Sequence, residues 1–442
     1  MELTRDLLEK CLQEYRKQQQ RKKKYKEYYE GEHDILRDYK MAKSRSNMRI
    51  VVNFFRKFIN DEIAYSLGHP VNYISRSGDA GVVDKLERNF AHWEKVHDQN
   101  LMKQTNIYGE AYELWYTTED GEFRATVLNP LNAFVVESGD AEGQVKLALH
   151  EYPEDMFSDH HLLDVYFENE IHHYRISKHS KIVGDYLGAR EINFSRPPVR
   201  ICEANPERQS MLDDIKREND AYNNVLSDLV NEVSDFRQAF LKIIGADITT
   251  EDAERMKESG ILKVNNDKVK IEYLTKEIND TFVQNLLANL EEKMYKMASH
   301  IDTNEKLQSN LSGTALRSRM IALENKCTLM QSMLEQTMKE RLKAYFGFVQ
   351  RREGESYDYK DVQLKFTMNI PADINLLADT ISKLENTVSQ ETLLSLLPFV
   401  ENPKVEVERF KKEVEERRSG MIDLDSVGLN PQATAGDDDD TE

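Results

Sequence analysis

Two apolar stripes at helical spacing, carried by residues 278–350, constrain this chain more than any other feature. In the first, Ile278, Phe282, Leu286, Leu290, Met294, Met297 and Ile301 recur at steps of three and four. In the second, Leu316, Met320, Leu323, Cys327, Met330, Leu334, Leu342 and Tyr345 do the same. That spacing lays one apolar face on each of two helices, roughly 35 Å and 50 Å long at 1.5 Å per residue. Between them runs "DTNEKLQSNLSG", a loop of amide, hydroxyl and charged side chains without proline. Structureless loops of about a dozen residues are uncommon and often functional.

The chain has 442 residues, 39% of them apolar and 31% charged. That length allows two to four domains or one elongated body. The low apolar fraction suits an elongated or oligomeric helical protein with much surface for its mass. A net charge of −19 argues against a tight grip on nucleic acid, which needs many Lys/Arg–phosphate contacts. It is compatible with DNA sliding past. Cys11, Cys202 and Cys327 lie far apart with no C-x-x-C and read as free thiols in a reducing compartment. The N-terminus lacks a signal-peptide apolar core, and no apolar run is long enough to span a bilayer, so no membrane partner is expected.

In chain order, residues 2–30 read as a charged helix ended by Gly31, its basic run Arg21–Lys24 a solvated face. Residues 51–67 form an amphipathic helix, "VNYISRS" a short strand, and 82–108 one further helix with Leu86, Phe90, Trp93, His97 and Leu101 on one face. From Ala111 to about 200 the period is two, a mostly antiparallel β region with a hairpin turn at "EDGE". "FSRPPVRICEANPER" reads as a proline-rich linker. Residues 210–236 return to helix, with Leu212, Ile215, Tyr222, Leu226, Leu229, Val233 and Phe236 on one stripe, and the periodicity extends to Ile243. An α/β insert follows: a helix from Thr249 or Thr250 to Gly260, then "ILKV" and "KVKIEYL" as a hairpin. After the two long helices come a strand, "DVQLKFTM", three short helices and the acidic run Asp437–Asp440.

No signature of catalysis emerges. There is no P-loop, no G-x-G-x-x-G and no H-E-x-x-H. His160–His161 and His172–His173 are neighbours, and neighbours on a strand point to opposite faces, so neither pair chelates one metal. A long-range site of histidine with Asp159 or Asp164 stays open. Carboxylates are too abundant to single out an acid/base dyad. The residues alone support an acidic, oligomeric, non-enzymatic scaffold without cofactor, displaying a polar loop.

The order of segments resembles the portal proteins of tailed double-stranded-DNA bacteriophages, of the siphophage kind. The resemblance rests on "YYEGEHDI" (28–35), "VNFFRKFINDEIAYSLGHPVNY" (52–73), "YGEAYELWY" (108–116) and "LNPLNAFVVES" (128–138). It continues in "IKRENDAYNNVLSDLVNEVSDFRQAFLKIIG" (215–245), "LSGTALRSRMIALENKC" (311–327) and "SQETLLSLLPFVENPKVEVERF" (389–410). It implies an elongated, mostly helical α+β portal fold that assembles as a homo-oligomeric ring, typically of 12 copies, at one capsid vertex. Double-stranded DNA passes through its channel during packaging and ejection. Terminase, the major capsid or scaffold protein and head-completion proteins are the implied partners. The virion, and host cytoplasm during assembly, is the implied location.

Carried onto this sequence, residues 1–207 and 351–370 correspond to the wing, 208–235 and 278–300 to the stem helices, and 236–277 to the clip. Residues 301–313 match the tunnel loop, 314–350 the long helix behind it and 371–420 the crown, leaving 421–442 as a disordered acidic tail. The family anatomy turns "FRQAFLKIIG" into clip strand, against the periodicity. In the loop, Asn304, Lys306, Gln308, Ser309 and Asn310 are the expected DNA-channel residues. In the clip, Thr250, Glu254, Lys257, Lys263 and Lys268 are the expected partner contacts. The competing readings are a helical virion adaptor without a DNA channel and a metal-dependent nuclease.

Overall fold

The computed structural model describes residues 3–40, 46–236, 240–244, 249, 251, 254, 270–274, 280–301, 313–369, 374–394, 397, 400 and 403–426, apart from residues 142, 193 and 195. The fold is mixed α+β, about half helical with about 20% strand. The chain divides into two compact units, Met1–Met368 and Asn369–Glu442.

Helix α1 (Arg5–Glu30) starts where the Thr4 hydroxyl accepts the Leu7 N–H and ends at Gly31, whose φ of 98° lies in the left-handed region. Its basic run is not simply a solvated face. Lys22 is buried, its ammonium donating to the Tyr108 carbonyl (2.6 Å) and to Glu110 (3.1 Å). Lys24 pairs with Asp34. After α2 (Ile35–Asp38) come α3 (Phe54–Ser66) and β1 (Asn72–Ser75).

The single helix expected over 82–108 is two, α4 (Ala80–Phe90) and α5 (Glu94–Tyr108). The break has a local cause. The Trp93 N–H turns back to the Phe90 carbonyl, and the Trp93 indole donates to the Asn89 carbonyl (2.7 Å). The expected face stays inward across the break, Leu86, Phe90, His97 and Leu101 all being buried. Helix α5 ends at Gly109, with φ of 84°, where a Cβ would collide with the Arg208 backbone.

The β region holds two sheets. Strands β2 (Glu110–Thr117), β3 (Phe123–Leu128) and β9 (Val199–Glu203) order as β3-β2-β9. Strands β4 (Ala133–Glu137), β5 (Val145–Pro153), β6 (His160–Phe167), β7 (Glu170–Ser177) and β8 (Asp185–Glu191) form a five-stranded antiparallel meander. "VRICE" was expected as linker, but it is an edge strand on β2. Pro197 and Pro198 end where the strand begins, and proline is tolerated there because an edge needs fewer donors. Helix α1 covers one face of the meander, Leu8, Leu12 and Tyr15 meeting Leu147, Leu163 and Val165.

Helix α6 (Met211–Phe236) buries the start of its apolar stripe, Leu212 and Ile215, and from Asn219 onward a polar row instead. Asn219, Asn223, Ser227 and Asn231 are fully buried, while Val233 is 56% exposed. The row sits at steps of four and meets the backbone of the extended segment 46–53. Asn231 accepts the Met48 N–H (2.7 Å), Ser227 the Ile50 N–H (2.9 Å) and Asn223 the Val52 N–H (2.9 Å). Asn231 and Asn219 donate back to the Met48 and Val52 carbonyls. A helix rises about 6 Å in four residues and a strand nearly 7 Å in two, so alternate strand amides fall beside successive rungs. Asn223→Ala leaves the half-buried Val52 amide without its acceptor and is expected to cost about 1–2 kcal/mol. Hydrogen exchange read at Val52 checks it; unchanged protection there contradicts this role.

Helix α6 ends at Phe236, and β10 (Phe240–Ile244) follows, as the family anatomy requires and the periodicity does not. Strand β11 (Lys270–Leu274) pairs antiparallel with β10. The expected partner "ILKV" lies outside the described residues. Helices α7 (Asp280–Met297) and α8 (Gly313–Glu353) match the two opening stripes, and α7 packs on α6. Strand β12 (Val362–Lys365) returns to pair with β1. The second unit contributes α9 (Ile374–Leu384), α10 (Gln390–Leu394) and α11 (Pro403–Ser426), α10 packing on α11. Helix α11 runs to Ser426, into the stretch expected as disordered tail.

Candidate functional site

The loop between α7 and α8 lies outside the described residues over 302–312, and with it Asn304, Lys306, Gln308, Ser309 and Asn310. Its two anchors are described. Helix α7 closes at Met297: the Ala298 N–H bonds the Met294 carbonyl (2.9 Å) and the His300 N–H the Tyr295 carbonyl (2.8 Å). Ser299 takes φ of 57°, the left-handed residue that such a cap requires. Ile301, expected to continue the α7 stripe, lies beyond this cap. The stripe itself is only partly buried: Met294 is enclosed, but Phe282 is 65% and Met297 47% exposed.

The end of α7 and the first half of α8 meet on one buried carboxylate. Glu62 on α3 is fully buried. His300, stacked on Phe58 with ring centroids 4.5 Å apart, places Nε2 3.0 Å from Glu62 Oε1. Lys326, on α8, contacts the same oxygen and donates to the Ala298 carbonyl (2.9 Å). Asn106 of α5 donates to Glu62 Oε2 (3.0 Å). The end of α7, the first half of α8 and the helices beneath are thus tied at one point. A cavity of about 290 Å³, walled by Met330, Met333, Leu329 and Pro206, opens beside it. Cys327 packs close by; burial pushes its thiol up to about 12, so it acts as an apolar residue rather than a nucleophile.

A second polar knot fixes α8 further along. Arg341 is fully buried in the apolar face of α8. Its guanidinium donates to Glu94 (2.7 Å), Asp98 (2.6 Å) and Glu113 (2.8 Å) and lies 5.8 Å from the Trp93 ring centre. His97 Nε2 stands 2.6 Å from Glu113, the Trp115 indole donates to Glu113 (2.8 Å), and the Tyr73 hydroxyl meets Glu94. Burial opposes ionisation of Glu113, but Arg341 and His97 outweigh it and hold the carboxyl at about 2. Burial, reinforced by Asp98, pushes Glu94 up to about 8 despite Arg341. Three buried carboxyls crowd one guanidinium, and Glu94 is the one whose neutral form this arrangement favours.

His97, Asp98 and Glu113 also form the one group, among the described residues, whose His and carboxylate ligand atoms lie within 4.8 Å of one another. Arg341 donates to two of the three, and the charge a metal would bring is already there. The sheet histidines form pairs: His173 with Asp164 (2.6 Å) and His161 with Glu151 (2.9 Å). Of the expected clip contacts, Glu254 is helical and exposed, while Thr250, Lys257, Lys263 and Lys268 lie outside the described residues. Glu62, His300, Lys326 and Arg341 were not singled out from sequence. The available signal was a charge on an apolar face: Glu62 follows Phe55, Phe58 and Ile59, and Arg341 follows Leu334 and Met338.

A family model described as phage portal protein, SPP1 Gp6-like, matches residues 8–420. The chain belongs to that family. The portal protein of Bacillus phage SPP1 is 22% identical over 423 residues, covering 89% of this chain and 80% of the relative. The portal protein of Clostridium phage phiCD119 is 21% identical over 426 residues, 85% of this chain and 89% of that one. A solved structure of the neck of an empty GTA particle, computed with C6 symmetry, aligns with a TM-score of 0.47 at 12% identity, over 77% of this chain and 88% of that chain. The protein is a phage portal protein, a structural component of the virion. Among the described residues no helix is long and apolar enough to cross a membrane.

Proposed function

We propose that copies of this portal protein form a ring at one capsid vertex, with residues 301–313 of every copy directed at a central channel for double-stranded DNA. The observation that carries this reading is the meeting of the α7 end and the first half of α8 on Glu62, within a chain that matches the portal family over 8–420. With the end of α7 and the first half of α8 tied to one buried carboxylate, the two helices that flank the loop keep the same relation in every copy. In this reading residues 1–207 and 351–370 are the wing, α6 and α7 the stem, 236–277 the clip and 371–420 the crown. The clip, with Thr250, Glu254, Lys257, Lys263 and Lys268, faces terminase and later head-completion proteins; the capsid or scaffold protein meets the body of the ring. Twelve copies is the proposed number, assembled in host cytoplasm.

The physics of transport supports an acidic wall. Each fixed phosphate contact would stall a moving polyanion, and a net charge of −19 leaves few to make. Lys306 is the cation of "DTNEKLQSNLSG", beside Asn304, Gln308, Ser309 and Asn310. Repeated around a ring it gives one belt of positive charge that touches the DNA backbone without reading sequence. Lys306→Ala is expected to shorten the DNA packaged per head, measured by gel after release. Full-length DNA at the wild-type rate would assign Lys306 to a pairing with Glu305 or a neighbouring copy instead.

A further inference from the structure

The five-stranded meander carries a knob at one end and a cleft at the other. The β5–β6 turn presents Met156 and Phe157 at 88% and 92% exposure. The turn is well built: the Asp155 carboxylate accepts the Phe157 N–H (2.7 Å), the Ser158 hydroxyl accepts the His160 N–H (3.0 Å), and the Asp159 carbonyl accepts the Lys178 N–H. Two adjacent large apolar side chains in water cost free energy unless something covers them. Asp155 and Asp159, both exposed, flank the pair.

At the opposite end, where β5 begins, a cleft of about 340 Å³ opens between the two sheets and α8. Trp115, Val145, Pro197 and Val199 give it an apolar floor, and Arg200 and Lys343 stand at its rim. Arg196 and Lys343 in this rim both reach Glu340, at 3.3 Å and 3.8 Å, two cations sharing one carboxylate. Arg200 is not matched in this way: its Nε is buried without a hydrogen-bond partner among the described residues. An acidic knob with an apolar tip and a basic cleft with an apolar floor are complementary in charge and in surface.

They cannot meet within one copy. Strand β5 runs from Val145, in the cleft, to Pro153, at the base of the knob, a separation of roughly 25 Å. Joints between two different surfaces of identical chains propagate head to tail and close as rings when the rotation allows. We propose that Met156 and Phe157 of one copy seat in the Trp115–Val145–Pro197–Val199 cleft of its neighbour, with Asp155 and Asp159 facing Arg200 and Lys343. This rests on the ring reading above and names a contact that builds the ring.

The test mixes full-length Phe157→Cys chains with Arg200→Cys chains under mild oxidation, both as purified protein and in assembled heads. The native Cys11, Cys202 and Cys327 are all buried, so they compete little. A crosslinked dimer in the mixture, and in neither chain alone, is the expected result. The double variant Met156→Ser/Phe157→Ser, confined to exposed side chains, is expected to raise the concentration for half-assembly at least about 30-fold. Reversing Asp155 and Asp159 to lysine is expected to do the same, and adding Arg200→Glu with Lys343→Glu to restore assembly. Rings without the crosslink, assembling normally with the serine variant, overturn the contact and leave the ring reading standing; the turn then serves another protein. No ring in purified protein or heads overturns both.

Discussion

Arg341→Met is expected to lower the stability of the 1–368 unit by about 3–5 kcal/mol, because it leaves buried carboxylates without their cation. Glu94, Asp98 and Glu113 all accept from that one guanidinium, and Asp98 Oδ2 already lacks a partner among the described residues. Arg341→Lys is expected to recover little, since an ammonium cannot reproduce a planar fork reaching three acceptors. The chain's two tryptophans, Trp93 and Trp115, both touch this knot, so urea unfolding followed by their emission reports on it directly. A wild-type midpoint in Arg341→Met contradicts the account.

The same knot sets a pH dependence with a definite sign. Glu94 is raised from 4.5 to about 8 on folding, so its contribution is complete below about 4.5 and is lost as pH climbs to about 8. The slope approaches about 1.4 kcal/mol per pH unit within that window. Glu113 runs the other way: lowered to about 2, it stabilises above about 4.5 and its contribution disappears as pH falls toward about 2. Glu94→Gln is expected to flatten the loss between pH 5 and 8 and to leave the acid limb in place. Parallel pH profiles for wild type and Glu94→Gln would contradict this assignment.

Glu62→Leu is the second large effect expected. It removes the acceptor shared by His300 and Lys326 and orphans the Asn106 amide, a loss of about 2–4 kcal/mol in line with breaking a buried ion pair. The loss is local. Hydrogen exchange is expected to accelerate at residues 298–301 and 323–327, while β5–β7, held by α1, keep their protection. Packaged DNA length is expected to fall with it, because the two helices that flank the loop are then no longer tied to each other. Unchanged exchange at both anchors would show that Glu62 does not hold them.

Periodicity carried the long helices well, because the buried face of α8 really is its apolar stripe from Leu323 to Tyr345. It failed where burial is polar. On α6 the stripe packs only at Leu212 and Ile215; beyond them the buried row is Asn219, Asn223, Ser227 and Asn231, whose partners are backbone groups about 170–190 residues away, which no local pattern announces. Arg341 reads in sequence as an interruption of a stripe; its meaning comes from Glu94 and Glu113, on α5 and β2. Lys22 looked like one of a solvated run until Glu110 and the Tyr108 carbonyl came beside it. The break at Trp93 turns on one indole hydrogen bond, and the edge strand "VRICE" on pairing with β2. Portal function was legible through the order of segments rather than through any single residue. The anchors of the loop needed the fold, since Glu62, His300 and Lys326 come from three separate helical regions.

The most direct test of the central claim is electron microscopy of the assembled full-length chain, taken to a resolution that traces residues 301–313. The account predicts a ring with a central hole whose narrowest belt is formed by those residues, Lys306 among them, with His300 and Lys326 of each copy still on Glu62. Monomers or rods in place of rings, or a ring whose 301–313 segments face away from the axis, would contradict it.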